Sequence, residues 1–408
     1  MQTTPDPDSL LAQLAALPDP RRPQGRRYPL PALLGLVILA TLQGESSLRG
    51  IWVWSRNHWP AIWQPLGFGG SRFPALTTLW NLLCNLDAEA FELLIGRWLE
   101  QLFGYPMGGF SADGKMLRAS RRDGPEKVLA LHLVSLVHHQ LGVVMRQRRV
   151  VQNVGDTGEL GTLLIMLRET PLHEKVITLD AGLLQGGVTR LIIKQGGDYL
   201  GVVKHNHRQL KAAVDSWVEE VVLLSDEQCE EYKEHGQGLA DTAAKKPSRT
   251  PDASTVEKSR GRVEERKIWV EQAGELSDYL KEQWHWFGVQ QVGWVQRRQQ
   301  RHHNEEWEQQ TVTFVTSLTA EQASADRLLH MLRQHWVIEN RIHWVRDVSY
   351  GEDRLHGRRI GQALAWARNI AISLLRKEGF SYIPDGWRYG SAHPRAVLSW
   401  ITTSRIQN

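Results

Sequence analysis

Apolar residues recur at helical spacing through residues 8–105, most clearly over Leu30–Leu42, 47–54 and 76–86. A helix start is predicted at 73–78, where Phe73-Pro74 precedes Leu76 and the hydroxyls of Thr77 and Thr78 are available for capping. Small helices with basic flanks suit a helix-turn-helix or an ordinary helical cap, and both readings stand. The period changes near residue 108. Alternating or continuous apolar runs predict strands at 109–113, 128–138, 142–151, 175–180 and 198–204. Helices are predicted between them at 158–168, with Leu160, Leu163, Leu164 and Leu167 on one face, and at 188–194.

Beyond residue 205 the pattern breaks. Residues 234–262 are polar and poor in apolar positions, the composition of a mobile loop. Strands are predicted at 266–270, 289–297 and 310–317, so 206–318 reads as a β-rich insertion. The helical period returns near residue 320 and runs to 376, with a break near Gly351. The expected organisation is a helical N-terminal DNA-binding or associated domain (1–105), a core in two parts (106–205 and 319–378) split by the insertion, and a C-terminal tail (379–408). Three strands, then helix–strand–helix–strand, is an α/β order with an antiparallel meander in front. It matches an RNase-H-like core, a mixed five-stranded sheet with flanking helices.

Composition narrows the classes. The 408 residues are 41% hydrophobic and 23% charged, which is globular, and Cys84 and Cys229 are too few for a disulfide scaffold or a thiolate-rich zinc site. The longest apolar run, 32–40, is far short of a membrane span of about 18 residues. The first ten residues lack the basic-then-apolar pattern of a signal peptide, so a soluble protein of a reducing compartment is expected. Net charge is only +4, but residues 333–376 hold eight arginines and no lysine, and 18–27 hold four more arginines. The guanidinium fork suits phosphate. Seventeen tryptophans exceed the eight Phe and eight Tyr combined; most would fill cores, and some on basic strands could stack on bases.

Three carboxylates stand out by position. Asp113 is predicted to end one strand and Asp180 another, and strand-end polar groups in an open α/β sheet face the crevice where ligands bind. A turn-forming or capping role is the alternative for each. On a wheel of about 100° per residue, Glu339 falls on the stripe of Leu328, Leu332, Trp336 and Ile342, together with His335, His343 and Arg346. A carboxylate on a core-facing stripe must be paired or bound to a metal. Two readings remain, a buried ion-pair network and an oxygen-ligand site for two Mg²⁺ or Mn²⁺ ions serving displacement at phosphate. Zinc held by His335, Glu339 and His343 is a weaker competitor that leaves both aspartates idle. In the insertion, Trp294 precedes the basic run from Arg297 and Arg298 to His303. It either stacks on an unpaired base or fills a small core.

The segment Asp113-Gly114-Lys115-Met116-Leu117-Arg118, followed by His132-Leu133-Val134-Ser135, resembles a signature of bacterial insertion-sequence transposases of the DDE type, in the subgroup of H-repeat-associated proteins. Thr178-Leu179-Asp180-Ala181 and Gly196-Gly197-Asp198-Tyr199 with Lys204 resemble its second block. Arg333-Gln334-His335-Trp336-Val337-Ile338-Glu339-Asn340 with His343-Trp344 resembles its third, and Asp19-Pro20-Arg21 with Thr77-Thr78-Leu79 its N-terminal associated domain. The resemblance covers nearly the whole chain. It implies an enzyme that cuts the ends of an insertion sequence and joins them to target DNA, with Asp113, Asp180 and Glu339 as catalytic metal ligands for two Mg²⁺ or Mn²⁺ ions. The implied partners are terminal inverted repeats, target DNA and a second copy of the chain. The implied location is the bacterial cytoplasm, at the nucleoid. DNA contacts are expected from Lys115, Arg118, Lys204, Trp294, Arg297, Arg298, Arg346 and Arg358, with His335, Asn340 and His343 in support. The chain departs from the family pattern where Gly155-Asp156-Thr157-Gly158 and Arg260-Gly261-Arg262 stand, and along the third helix. A transposase-derived DNA-binding protein that no longer cuts is the alternative.

Overall fold

Alternation of buried and exposed positions carries the strands seen in the computed structural model, which describes residues 6–104, 106–120, 130–150, 158–222, 249–259, 261–301, 307–355 and 359–404. They are β1 (Gly108–Leu117), β2 (Leu131–His138), β3 (Val143–Arg149), β4 (Lys175–Leu179), β5 (Asp198–Val203), β6 (Ala253–Ser259), β7 (Arg262–Gln272), β8 (Gln291–Arg301) and β9 (Glu308–Thr316). Their order is β3-β2-β1-β4-β5-β9-β8-β7-β6. The first five, with β2–β3 antiparallel and β4–β5 parallel, have the order expected of an RNase-H-like core. The fold is mixed α/β with a large mixed sheet.

The chain divides into two compact units. One comprises Met1–Gly108, Asp113–Thr162 and Val337–Asn408; the other comprises Gly109–Ala112 and Leu163–Trp336. The first holds the N-terminal helices, whose centre is Leu30–Leu42. That helix is apolar on every side and buried along nearly its whole length, as a helix without a polar face must be. The helix Gly361–Lys377 packs against it. Helix Ala88–Leu102 turns Glu92 and Glu100 inward, two turns apart on one face, where they pair with Arg148 and Arg146 of β3 at 3.3 and 3.2 Å. The helix start at residue 76 is present, but its N-cap is Ala75 with no side-chain cap. The hydroxyls of Thr77 and Thr78 lie past the capping position, inside the first turn.

The residues expected to form a tail make two helices, Ile383–Ala392 and Pro394–Thr402, which bury Ile383, Val397, Trp400 and Ile401. Pro384, Gly386 and Gly390 hide the first of these from a propensity reading. The glycines have a packing reason: a Cβ on Gly386 would meet Leu375 at 2.4 Å, and one on Gly390 would meet Gln43 at 2.7 Å.

In the second unit β4 and β5 run parallel, and β9, β8, β7 and β6 follow β5 antiparallel. The insertion therefore continues the sheet of its own unit through β9. Helix Ala325–His335 buries Leu328, Leu329 and Met331 in a core with Val176, Leu200, Ile268 and Phe314. Helix Arg208–Val222, absent from the β-rich reading, buries Leu210, Val214 and Val218 at i, i+4 and i+8. Helix Glu275–Trp284 is a second helical element of this region. The stretch read as a loop, 234–262, contains β6. Its partly buried side chains are Thr255 and Glu257 while Val256 is 66% exposed, so hydrophobic alternation could not reveal it. Residues 234–248 of that stretch lie outside the described residues.

Candidate metal centre

Strand β1 does not stop at Asp113. Gly114 and Lys115 look like a turn in sequence, yet the strand runs on to Leu117 because Lys115 turns inward, 7% exposed, and pairs with Asp347 at 2.6 Å. Asp113 and Lys115 share a face of the strand, two residues apart.

The helix bearing Glu339 also departs from expectation. Ala325–His335 is α-helical and capped by Ser324, but Ile338–His343 and Val345–Ser349 are π-helical. The Trp344 N–H donates to the Glu339 carbonyl and the Tyr350 N–H to the Val345 carbonyl, each five residues back. The wider turns shift the phase that a uniform wheel assumes. Glu339 consequently faces outward, at 52% exposed, and Trp336, at the end of the α-helix before it, is 59% exposed, so neither lies on a buried stripe. His343 and Arg346 are buried as expected, at 5% and 0%. Single π-turns within helices concentrate at functional sites.

These two departures bring a constellation together in the first unit. One donor atom each from Asp113, Glu339 and His343 lies within 4.8 Å of the others, the one such group among the described residues. The His343 Nδ1 is 3.5 Å from Asp113 Oδ2 and 3.5 Å from Glu339 Oε2. Burial holds the imidazole pKa below its ordinary value; the Glu339 carboxylate pulls it back up, while Arg346 and Lys115 push it further down. Near neutral pH the ring is therefore uncharged, the form that can donate a lone pair to a metal.

Beside this group lies a buried ionic network. Arg346 Nε donates to Glu352 Oε2 at 2.8 Å, and Arg368 Nη1 to Glu352 Oε1 at 2.6 Å, with Arg368 Nη2 on the Ser46 carbonyl. Burial by itself would raise the Glu352 pKa; the two guanidiniums more than offset this and hold it below the usual range. Arg346 and Lys115 are thus committed inside the protein, and their expected roles as phosphate contacts are withdrawn. The partners Asp347 and Glu352 were not assigned roles from sequence. In sequence they lie in an arginine-rich, lysine-free helical segment with four acids, and in the stretch that follows the third block of the family resemblance.

Asp180 belongs to the second unit, one residue past β4. Its Oδ1 accepts from the Leu183 N–H at 3.0 Å, the turn-forming role that was the alternative reading. The adjoining Ala181 carbonyl accepts from Asn206 Nδ2 at 2.6 Å. His335 serves the same unit: its Nδ1 lies 3.0 Å from Thr178 Oγ1 and its carbonyl accepts from Ser111 Oγ. The zinc set of His335, Glu339 and His343 does not arise among the described residues.

Of the expected DNA contacts, Arg118 and Lys204 are exposed, as is the supporting residue Asn340, and Arg358 lies outside the described residues. Trp294 is half-buried, with Nε1 donating to Asp215 Oδ1 at 3.0 Å, which places it in the packing between β8 and helix Arg208–Val222. That arrangement fits the core-filling alternative. Arg297 pairs with Glu264, and Arg298 pairs with Glu265 at 3.5 Å while lying over the Trp307 ring.

Comparisons with known proteins bear on what this centre serves. Among similar proteins, "Putative transposase YncI" of Escherichia coli O157:H7 is 26% identical over 90% of this chain and 87% of its own length. "H repeat-associated putative transposase YhhI" of Escherichia coli (strain K12) is 26% identical over 90% of each chain. A solved piggyBac transposase synaptic complex with hairpin DNA aligns with 99% of this chain and 82% of that one, at 9% identity and a TM-score of 0.42. No helix among the described residues is long and apolar enough to cross a membrane. The model of the family described as DDE_Tnp_1-associated matches residues 11–99. That of the transposase DDE domain matches residues 104–376, about two thirds of the sequence, and the chain belongs to this family of transposases.

Proposed function

We propose that this protein cuts the ends of an insertion sequence and joins them to target DNA, with Asp113, Asp180 and Glu339 as its catalytic carboxylates. The observation that carries the reading is the meeting of Asp113 and Glu339 at the buried ring of His343, in a chain of the transposase DDE family. Carboxylate oxygens are the donors that suit Mg²⁺ or Mn²⁺. Two such ions would stabilise the charge that develops on the attacking and leaving oxygens of an in-line displacement at phosphate.

The chain's own residues supply the frame. The Lys115–Asp347 pair ties the strand bearing Asp113 to the π-helical segment bearing Glu339 and His343. The Arg346–Glu352–Arg368 network fixes the far end of that segment. Arg118 and Lys204 are exposed cations suited to DNA phosphates. The partners proposed are the element's terminal inverted repeats, target DNA, and a second copy of the chain, because two ends must be held together for joining.

The test is nicking of a plasmid that carries the element's ends, with Mg²⁺ or Mn²⁺ added. The wild type is expected to cut, while Asp113→Asn, Asp180→Asn and Glu339→Gln each abolish cutting and retain end binding. Strand cleavage retained in any two of the three variants would overturn the assignment. Tight binding of the ends by the wild type without cutting under either ion would identify a non-cutting DNA-binding protein instead.

A further inference from the structure

His343 is not one of the three carboxylates of the proposed catalytic set, yet it is the residue on which Asp113 and Glu339 converge. Its ring is 5% exposed. Nδ1 points at Asp113 Oδ2 and Glu339 Oε2, 3.5 Å from each. Charge-assisted hydrogen bonds of the N–H···O⁻ kind are about 2.7–2.9 Å long, so both contacts are too long for a firm one. On the other side of the ring, Nε2 is buried with no hydrogen-bond partner among the described residues. Two donors that each lie about 2.1 Å from one divalent ion are about 3.0–4.2 Å apart, and 3.5 Å falls within that interval.

We infer that His343 Nδ1 is a metal donor, so that the site of Asp113 and Glu339 has mixed nitrogen and oxygen ligation. The inference rests on the proposed metal-dependent function and deepens it. If Nδ1 gives its lone pair to the ion, the ring proton resides on Nε2. Imidazole ligation shifts preference away from Mg²⁺ and Ca²⁺, which favour oxygen donors alone, toward Mn²⁺ and later transition ions. The spacing of Glu339 and His343, i and i+4 along a π-helical segment, sets both side chains toward Asp113. Lys115 and Asp347 clamp strand to helix one step further along each element, which holds the three donors in place.

The experiment uses the full-length chain with Mn²⁺ as the probe, read by electron spin echo envelope modulation. Wild-type protein is expected to show Mn²⁺ coupled to a histidine nitrogen, and labelling the histidines with ¹⁵N should convert the ¹⁴N pattern. His343→Gln should keep a bound ion with affinity lowered by at least about tenfold and lose the coupling. Mn²⁺ bound in an Asp113- and Glu339-dependent way without histidine coupling, or coupling that survives in His343→Gln, would overturn the inference and leave the carboxylate site standing. Mn²⁺ binding indifferent to Asp113→Asn and Glu339→Gln would overturn the underlying metal reading as well. The wild-type spectrum with labelled histidine decides the matter even if His343→Gln folds poorly.

Discussion

Two glutamates thirteen residues apart on the same stretch of chain are treated in opposite ways. Glu352 is 4% exposed and is met by two buried guanidiniums, Arg346 and Arg368, so its charge is balanced with cations held in place. Glu339 is half-exposed and is brought next to another carboxylate, Asp113, across an uncharged imidazole. In the first arrangement each buried charge has a fixed partner, so removing one of them is far more costly than the pair is stabilising. The second brings two carboxylates to one buried ring, a grouping that a divalent ion would favour. Glu352 is matched from within, whereas Glu339, by the proposed reading, is set where an ion binds.

The contrast can be broken by substitution. The largest expected effect is on catalysis: Glu339→Gln or Asp113→Asn should reduce end cleavage by roughly a thousandfold or more, since a lost metal ligand removes several kcal/mol of transition-state stabilisation. In the absence of divalent ions, the same variants should melt at or slightly above the wild-type temperature, because like-charge repulsion is relieved. Glu352→Gln should do the reverse and destabilise the protein by about 3–5 kcal/mol in chemical denaturation, leaving two buried guanidiniums uncompensated.

Acid sharpens the same difference. The Glu352 pKa in the fold lies below the 4.5 of a free glutamate. Its contribution to stability is therefore complete above about pH 4.5 and is lost as pH falls through the folded-state value, where the unfolded chain binds the extra proton. Melting temperatures followed below pH 4.5 should fall more steeply for wild type than for Glu352→Gln. Equal slopes would show that the pair with Arg346 and Arg368 does not stabilise the fold. The smallest effect concerns salt. Lys204→Ala and Arg118→Ala should each reduce the slope of log affinity for DNA against log salt by about one unit. Arg346→Ala should lower the melting temperature and leave that slope unchanged.

Much of the frame was legible. The five core strands and the two helices among them follow from local alternation and helical spacing, and these signals survive because each strand's pattern is set by its own buried neighbours. What escaped reading depends on distant partners. The extension of β1 through Gly114 and Lys115 makes sense only with Asp347, 232 residues further along the chain. The outward turn of Glu339 depends on a change from α- to π-helical hydrogen bonding, which a wheel of fixed pitch cannot register. β6 went unseen because little of its inward face is apolar: Ala253 is small, Thr255 is polar, and Glu257 pairs with Arg333 at 2.5 Å and with Arg266 at 3.7 Å. Asp113 and Glu339 were singled out from sequence, one by its place on a strand and the other by a core-facing stripe that the structure does not bear out, and the fold sets them on either side of His343. His343 was noted as a supporting residue and, with His335, as a ligand of the weaker zinc alternative, since nothing in linear sequence tells which of two histidines four residues either side of Glu339 will face Asp113.

The most direct measurement is the melting temperature of wild type, Asp113→Asn and Glu339→Gln, each with and without Mn²⁺. A ligand that binds only the folded chain stabilises it by about 2.7 kcal/mol at a hundred times its Kd, a shift of a few degrees for a protein of this size. Wild type is expected to rise by that amount on addition of Mn²⁺, and neither variant should respond. A wild-type melting temperature indifferent to Mn²⁺, or an equal rise in Asp113→Asn, would contradict the assignment of these carboxylates to a metal centre.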